Sequence, residues 1–260
     1  MIHSQTRSAV VTGAGRGIGR ALALELARLG YPVAVQARTP GQLFDTRAAV
    51  EALGGRARVV PGDVTKASAA VELVERAEAE LGPVGVAVAC AGQAFSAPLL
   101  KTKPERMTEL FEVNTLSVLH LIQASAQAMI KSGTRGRIVV VASTAAVKGM
   151  AYTAAYSATK HAVLGLVRSA ALELAPHGIT VNALCPGWVD TPMMDETVRN
   201  IAEKTKCTEA EAKQKIEAMI PLGQVLRPEE VASYLRFIVS DGAAHLTGQA
   251  LVLDGGETTR

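Results

Sequence analysis

Four glycines fall within the seven residues Gly13-Ala14-Gly15-Arg16-Gly17-Ile18-Gly19, between a β-branched run, Ser8–Thr12, and an amphipathic segment that continues to about Leu29. Ordering so many glycines costs backbone entropy, so such a turn is kept for what glycine alone allows, a close approach of backbone to something else. After a strand and at the start of a helix, free N–H groups and the positive end of the helix dipole form a cradle for a pyrophosphate. The spacing is Thr12-Gly13-x-x-x-Gly17-x-Gly19 rather than G-x-G-x-x-G. It predicts dinucleotide binding at the first strand-to-helix turn of a parallel sheet, with Gly13, Gly15, Arg16, Gly17, Ile18 and Gly19 against the cofactor.

The rest of the chain keeps the same alternation. Strands are predicted at Pro32–Ala37, Ala57–Pro61, Val84–Ala89, Arg137–Ala142, Ile179–Leu184 and Ala250–Leu253. Helices are predicted at Gln42–Leu53, Ala67–Glu80, Pro104–Lys131, Ala154–Ala175 and Glu229–Val239, with a loop-and-helix region before the last. Right-handed crossovers of this kind give one α/β domain over residues 1–260, a doubly wound, Rossmann-type parallel sheet of about seven strands with helices on both faces. Hydrophobic residues make up 48% of the chain and aromatics 3%, which suits small-residue helices packed on a buried sheet.

Charge excludes some classes of partner. The net charge is +3 and the basic residues are scattered, so neither nucleic acid nor a membrane surface is expected as a partner. Met1–Ser8 is polar and lacks an apolar signal region, and three cysteines without metal-ligand spacing fit a reducing compartment. The expectation is a cytoplasmic protein with no metal. Cys90 and Cys185 would lie on strands separated by a third in a 3-2-1-4-5-6 order, at ~9–10 Å, too far for a disulfide.

After the second strand, where an NAD enzyme carries an acid for the ribose 2′-hydroxyl, stand Ala37 and then Arg38. With Arg16 in the glycine turn, two guanidiniums would suit a 2′-phosphate, so NADP(H) is favoured over NAD(H). Asp63, beside Val64, could accept from an adenine amine or cap the next helix. Ala89-Cys90-Ala91-Gly92 ends the fourth strand in small residues that leave room for a cofactor.

Tyr156 and Lys160 are four residues apart and share one helix face. An ammonium beside a phenol favours the phenolate, which makes the tyrosine a readier acid or base toward an alcohol or carbonyl oxygen. Ser143 ends the fifth strand, at the edge where sites form in open α/β sheets. Asn114, in F-E-V-N-T-L, is a poor helix former in an apolar pattern, read either as a kink or as a water-holding amide.

Together these residues resemble the short-chain dehydrogenase/reductase family. The glycine turn, Asn114, Ser143, Tyr156-x-x-x-Lys160, Pro186-Gly187-Trp188-Val189-Asp190-Thr191-Pro192-Met193 and Thr247-Gly248-Gln249…Asp254-Gly255-Gly256 carry the resemblance over essentially the whole chain. It is similar above all to 3-oxoacyl-thioester reductases and aromatic polyketide ketoreductases. The resemblance implies Tyr156 as general acid toward a ketone, Lys160 favouring the phenolate and binding the nicotinamide ribose, and Ser143 on the substrate oxygen. It implies that Asn114 holds a water linking Lys160 to solvent, and that Val189 and Thr191 hold the carboxamide beside Pro186 and Gly187. It implies a homodimer or homotetramer as well. The family's Asn-Asn-Ala-Gly is here Ala89-Cys90-Ala91-Gly92, so some hydrogen bonds at that strand end are expected to be missing.

For the substrate, Thr208–Ile220 reads as an amphipathic helix with a Ser/Thr-x-x-acid start, part of a lid at about 190–222. Trp188, Met193, Met194 and Met150 would line an apolar pocket or pack in the core. A small ketone or alcohol is the expected ligand. The alternatives are an NAD-dependent secondary-alcohol or hydroxyacyl dehydrogenase running oxidatively and, more remotely, a dinucleotide-binding scaffold without catalysis. His161 points ~100° around the helix from Lys160 and reads as packing or interface, not catalysis.

Overall fold

The computed structural model describes residues 7–259; of the polar N-terminal stretch, residues 1–6 lie outside it. Strand β1 (Ser8–Thr12) is fully buried and leads through the glycine turn into helix α1 (Gly17–Arg28). Then follow β2 (Val33–Gln36), α2 (Pro40–Ala52), β3 (Ala57–Val59), α3 (Ala67–Leu81) and β4 (Val84–Ala89). The second half comprises α4 (Pro104–Phe111), α5 (Ser117–Lys131), β5 (Arg137–Val141), α6 (Ala154–Leu174), β6 (Thr180–Pro186), α7 (Pro192–Thr205), α8 (Glu209–Glu217), α9 (Pro228–Val239) and β7 (Ala250–Leu253).

All seven strands are parallel, in the order β3-β2-β1-β4-β5-β6-β7. Alternate residues of each strand face opposite layers. Val10, Ala87, Ile138 and Val181 pack under α3, α5 and α6, whereas Ala9, Val11, Val86 and Val139 pack under α1, α2 and α9. Burial on both faces explains why these strands read as continuous apolar runs. Chain order reverses direction beside β1, so the carboxyl ends of β1 and β4 diverge there and leave a crevice.

Two helical expectations are corrected. The segment 104–131 is not one helix: Glu112–Leu116 winds as a π-turn between α4 and α5, and Ser117 N bonds back five residues to Glu112 O. Asn114 lies within that turn, fully buried, so the poor helix former marks a break in helical register, as π-bulges often do near functional sites. Residues 192–205, read as part of a loop-and-helix region, form the regular helix α7. Pro192 at its first turn and Thr191 as its N-cap start it. The helix predicted from Thr208 is α8, with Thr208 and Glu211 completing a reciprocal capping box.

Candidate active site

A cleft of about 670 Å³ opens at the carboxyl edge of the sheet. Its floor is the glycine turn. Gly13 and Gly17 adopt left-handed backbone, with φ of 68° and 54°. A Cβ on Gly13 would stand 2.8 Å from the Ala91 backbone, and one on Gly17 3.2 Å from Thr191 Cγ2 on the opposite wall. Glycine is what lets the turn pass this close to its neighbours, and the turn opens α1 with the free N–H groups of a helix start facing the cleft, an arrangement that fits a dinucleotide's pyrophosphate.

Beside the turn, Ala37, Arg38, Thr39 and Gln42 line the cleft with Arg16, and both arginines are exposed. Asp63 faces them. Its carboxylate accepts from Thr65 N at 3.1 Å and does not cap α3, whose N-cap is Lys66; this corrects the capping alternative. That backbone hydrogen bond, with help from Arg38, holds the Asp63 carboxyl below its usual range. Val64, Cys90, Ala91 and Gly92 continue the wall.

The strand end after β4, where the replaced asparagines leave out some side-chain hydrogen bonds, is held through its backbone. Thr12 Oγ1, buried at the tip of β1, accepts from Cys90 N at 3.2 Å and Ala91 N at 3.4 Å. Cys90, Cys185 and Cys207 are free thiols. Burial pushes the Cys90 thiol up to about 12 and that of Cys185 to about 11.

Further along, α6 delivers Tyr156 and Lys160. Lys160 is buried, and its Nζ donates to Val141 O at 3.1 Å while lying 5.8 Å from the centre of the Tyr156 ring. The carbonyl at the tip of β5 thus steers the ammonium beneath the phenol. Ser143, two residues past β5, caps a 3-10 turn (Thr144–Ala146) by accepting from Ala145 N at 3.1 Å. Tyr156, Lys160 and Ser143 all line the cleft.

Asn114 stands behind the wall. Its Oδ1 accepts from Gln93 N at 2.8 Å and its Nδ2 donates to Gln93 O at 3.0 Å and Thr159 Oγ1 at 3.2 Å. The amide therefore clamps the loop after β4 onto α6, with both of its donor hydrogens engaged. A Cβ on Gly92 would fall 3.3 Å from Asn114 Oδ1 and 3.7 Å from Lys160 Nζ, which places clamp and ammonium side by side.

Pro186, Gly187, Trp188, Val189, Thr191, Met193 and Met194 form the far wall, with Met150 opposite. Thr191 Oγ1 donates to Val189 O and accepts from Met194 N, tying the end of β6 to the start of α7. Trp188 and Met194 also pack with Val198, Ala202, Ala212 and Ile216 in a small apolar cluster, so the pocket and packing alternatives both hold. His161 is exposed, and its Nδ1 lies 2.9 Å from Ser157 O, away from the cleft. Sequence reasoning took Thr12 only as the start of the glycine motif and passed over Gln93 and the pair Arg106–Phe95, whose guanidinium sits 5.1 Å over the ring at the cleft's substrate end. No short motif marks them; only the fold brings them together.

A family model described as enoyl-(acyl carrier protein) reductase matches residues 13–258. The chain is 38% identical over 257 residues to a Streptomyces virginiae protein named for a ketoacyl reductase of the monensin polyketide synthase, covering 98% of each. The chain belongs to the short-chain dehydrogenase/reductase family. Members of this family are oxidoreductases acting on CH–OH groups with NAD(P), and this chain is such an enzyme. It is also 34% identical over 252 residues to an (S)-acetoin-forming diacetyl reductase of Staphylococcus epidermidis, over 96% of this chain and 98% of that one. A crystal structure of a tryptophan variant of actinorhodin polyketide ketoreductase with NADPH superposes with a TM-score of 0.94 at 35% identity, covering all of both chains. Among the described residues no helix is long and apolar enough to cross a membrane, and no group of three His, Cys, Asp or Glu could hold a metal.

Proposed function

We propose that the enzyme reduces a ketone to a secondary alcohol with NADPH, with Tyr156 as the general acid. The observation that carries this reading is the buried Lys160 ammonium held by Val141 O beneath the Tyr156 ring, inside the cleft that the glycine turn floors. NADPH, when bound, supplies the hydride to the carbonyl carbon. Gly13, Gly15, Gly17, Ile18 and Gly19 would hold its pyrophosphate, Arg16 and Arg38 its 2′-phosphate, and Pro186, Gly187, Val189 and Thr191 its nicotinamide end. Ser143 Oγ donates to the substrate oxygen. As negative charge grows there, the Tyr156 O–H bond breaks and its proton passes to that oxygen. Lys160 stabilises the tyrosinate left behind, and such positioned acid catalysis contributes typically ~10²–10⁴-fold. Asn114 holds the Gly92–Gln93 turn against Lys160; a water relay there would use its backbone rather than its engaged side chain.

The 2′-phosphate reading rests on Ala37 in place of an acid, with two arginines lining the same corner. The substrate reading, a 3-oxoacyl thioester, polyketide or cyclic ketone, rests on Met150, Trp188, Met193 and Met194 and on the names of the relatives. A homodimer or homotetramer is supported by α6, which exposes His161, Gly165, Arg168 and Leu172 along one stripe, with Leu172 79% exposed. A cytoplasmic location fits the three free thiols.

The test is a fluorescence titration with NADPH and NADH, followed by turnover on acyl thioester, cyclic diketone and enoyl thioester substrates. Tighter NADPH binding with ketone turnover supports the proposal. Tighter NADH binding with alcohol oxidation, enoyl reduction alone, or binding of neither nucleotide refutes it.

A further inference from the structure

The chain ends on a turn that the catalytic wall leans against. After β7, Gly255 and Gly256 take left-handed backbone and Asp254 closes the turn, its carboxylate accepting from Gly256 N at 2.9 Å and Thr258 N at 2.6 Å. This presents Glu257, which is only 6% exposed. Three parts of the active site meet it. Lys148 Nζ, five residues beyond Ser143 and eight before Tyr156, reaches Glu257 Oε1 at 3.2 Å and the Glu257 backbone oxygen at 3.0 Å. Gly187 N donates to Leu253 O at 2.8 Å, and a Cβ on Gly187 would stand 3.1 Å from Glu257 Oε2. Leu222 N, just beyond the lid helices, donates to Gly255 O at 3.1 Å.

Neither Lys148 nor Glu257 lines the cleft, so neither touches substrate or cofactor. Between the Thr144–Ala146 turn and α6 the chain is a loop with Tyr152 in left-handed backbone at φ 67°, a conformation that a bulky residue holds only when its surroundings impose it. Two tethers impose it: Ala97 N on Tyr152 O at 2.7 Å, and the Lys148–Glu257 pair. The first ties the loop to the β4 side of the cleft, the second to the nicotinamide side. We infer that Glu257 and Lys148 form a latch that positions the Ser143 loop against the Pro186–Trp188 loop, so that the C-terminal turn sets the alignment of the substrate oxygen's partners. A buried carboxylate that loses its paired cation no longer holds its place, because the uncompensated charge seeks water.

The activity arm of the test rests on the ketone-reduction reading, so a second arm reads the latch without turnover. Lys148→Met, Lys148→Arg and Glu257→Gln are compared for kcat, KM, NADPH affinity and acrylamide quenching of Trp188, the sole tryptophan. The latch predicts that Lys148→Met and Glu257→Gln lower kcat at least tenfold and raise Trp188 quenching, with NADPH affinity within twofold of the parent. Lys148→Arg should recover kcat to within threefold. Parent-like kcat and quenching in Lys148→Met overturns the inference. So does a loss that Arg fails to rescue, or one in which NADPH affinity falls in step with kcat. If Glu257→Gln does not fold, the two variants of the partly exposed Lys148 decide the matter. If the parent reduces no ketone, the function proposal fails while Trp188 quenching still tests the latch.

Discussion

Replacing Thr12 with Val keeps the shape of a side chain that is 4% exposed and removes one oxygen. That oxygen accepts from both Cys90 N and Ala91 N, at 3.2 and 3.4 Å. Orphaning a buried donor costs ~1–3 kcal/mol, and bonds this long sit at the low end, so two of them amount to about 2 kcal/mol. For a domain of this size that lowers Tm by ~4–8 °C. Thr12→Ser keeps the oxygen and loses one methyl, about 0.8 kcal/mol. The two accounts of Thr12 therefore order the variants oppositely: hydrogen bonding makes Val the less stable, packing makes Ser the less stable. Thermal unfolding at one fixed protein concentration, with and without saturating NADPH, reads the order. The gap should widen with NADPH, because Ala91 and Gly92 form the wall the cofactor meets. A Val variant as stable as the parent, or more stable than Ser, refutes the reasoning.

Tyr156→Phe should abolish ketone turnover while leaving the Kd for NADPH within about twofold, measured by nicotinamide fluorescence; surviving turnover removes Tyr156 as the acid. Arg38→Asp should weaken NADPH by at least tenfold, about 1.4 kcal/mol, and leave NADH nearly unchanged, since only the former carries the charge this arginine would read. Equal losses for both nucleotides would exclude that role. With Cys90 raised to about 12 and Cys185 to about 11, fewer than ~1 in 10³ or so of either thiol is ionised at pH 8, and the thiolate is the reactive form. Native protein should thus react slowly with a chromogenic disulfide at Cys90 and Cys185, and denaturant should speed both. Rapid modification of either in the native protein would show that burial does not protect them.

The fold was largely legible from the order of elements because the central strands β1, β2, β4, β5 and β6 are buried on both faces and the helices packed on them carry apolar stripes. Where that rule lapses, reading falters. α7 was blurred into a loop-and-helix region because its start is set by Thr191 and Pro192, whose Pro-rich surroundings read equally as turn. The break at Glu112–Leu116 leaves the hydrophobic pattern intact on either side, so periodicity sees one helix. Every residue expected in the site lines the cleft except Asn114, whose amide is spent on Gln93. The resemblance points to Asn114, which the structure places behind the cleft wall, and says nothing of that bond. The hydrogen-bonding role of Thr12 escaped for a related reason: a threonine ending a buried strand and opening a glycine motif looks like any β-branched residue until the neighbouring strand is set beside it.

The small apolar cluster of Met194, Val198, Ala202, Ala212 and Ile216 gives α7 and α8 a core of their own, apart from the two cores that clamp the sheet. A segment with private packing opens as a cooperative unit, with a free energy below that of global unfolding. Amides of α7 and α8 should therefore exchange together and earlier than those of the central strands, with Thr191 and Leu222 as the pivots. With α7 and α8 proposed as a lid, substitutions confined to that cluster should change the dissociation rate of a bound molecule and leave the melting of the sheet untouched. The enzyme can in this way change what it admits without renegotiating how it folds.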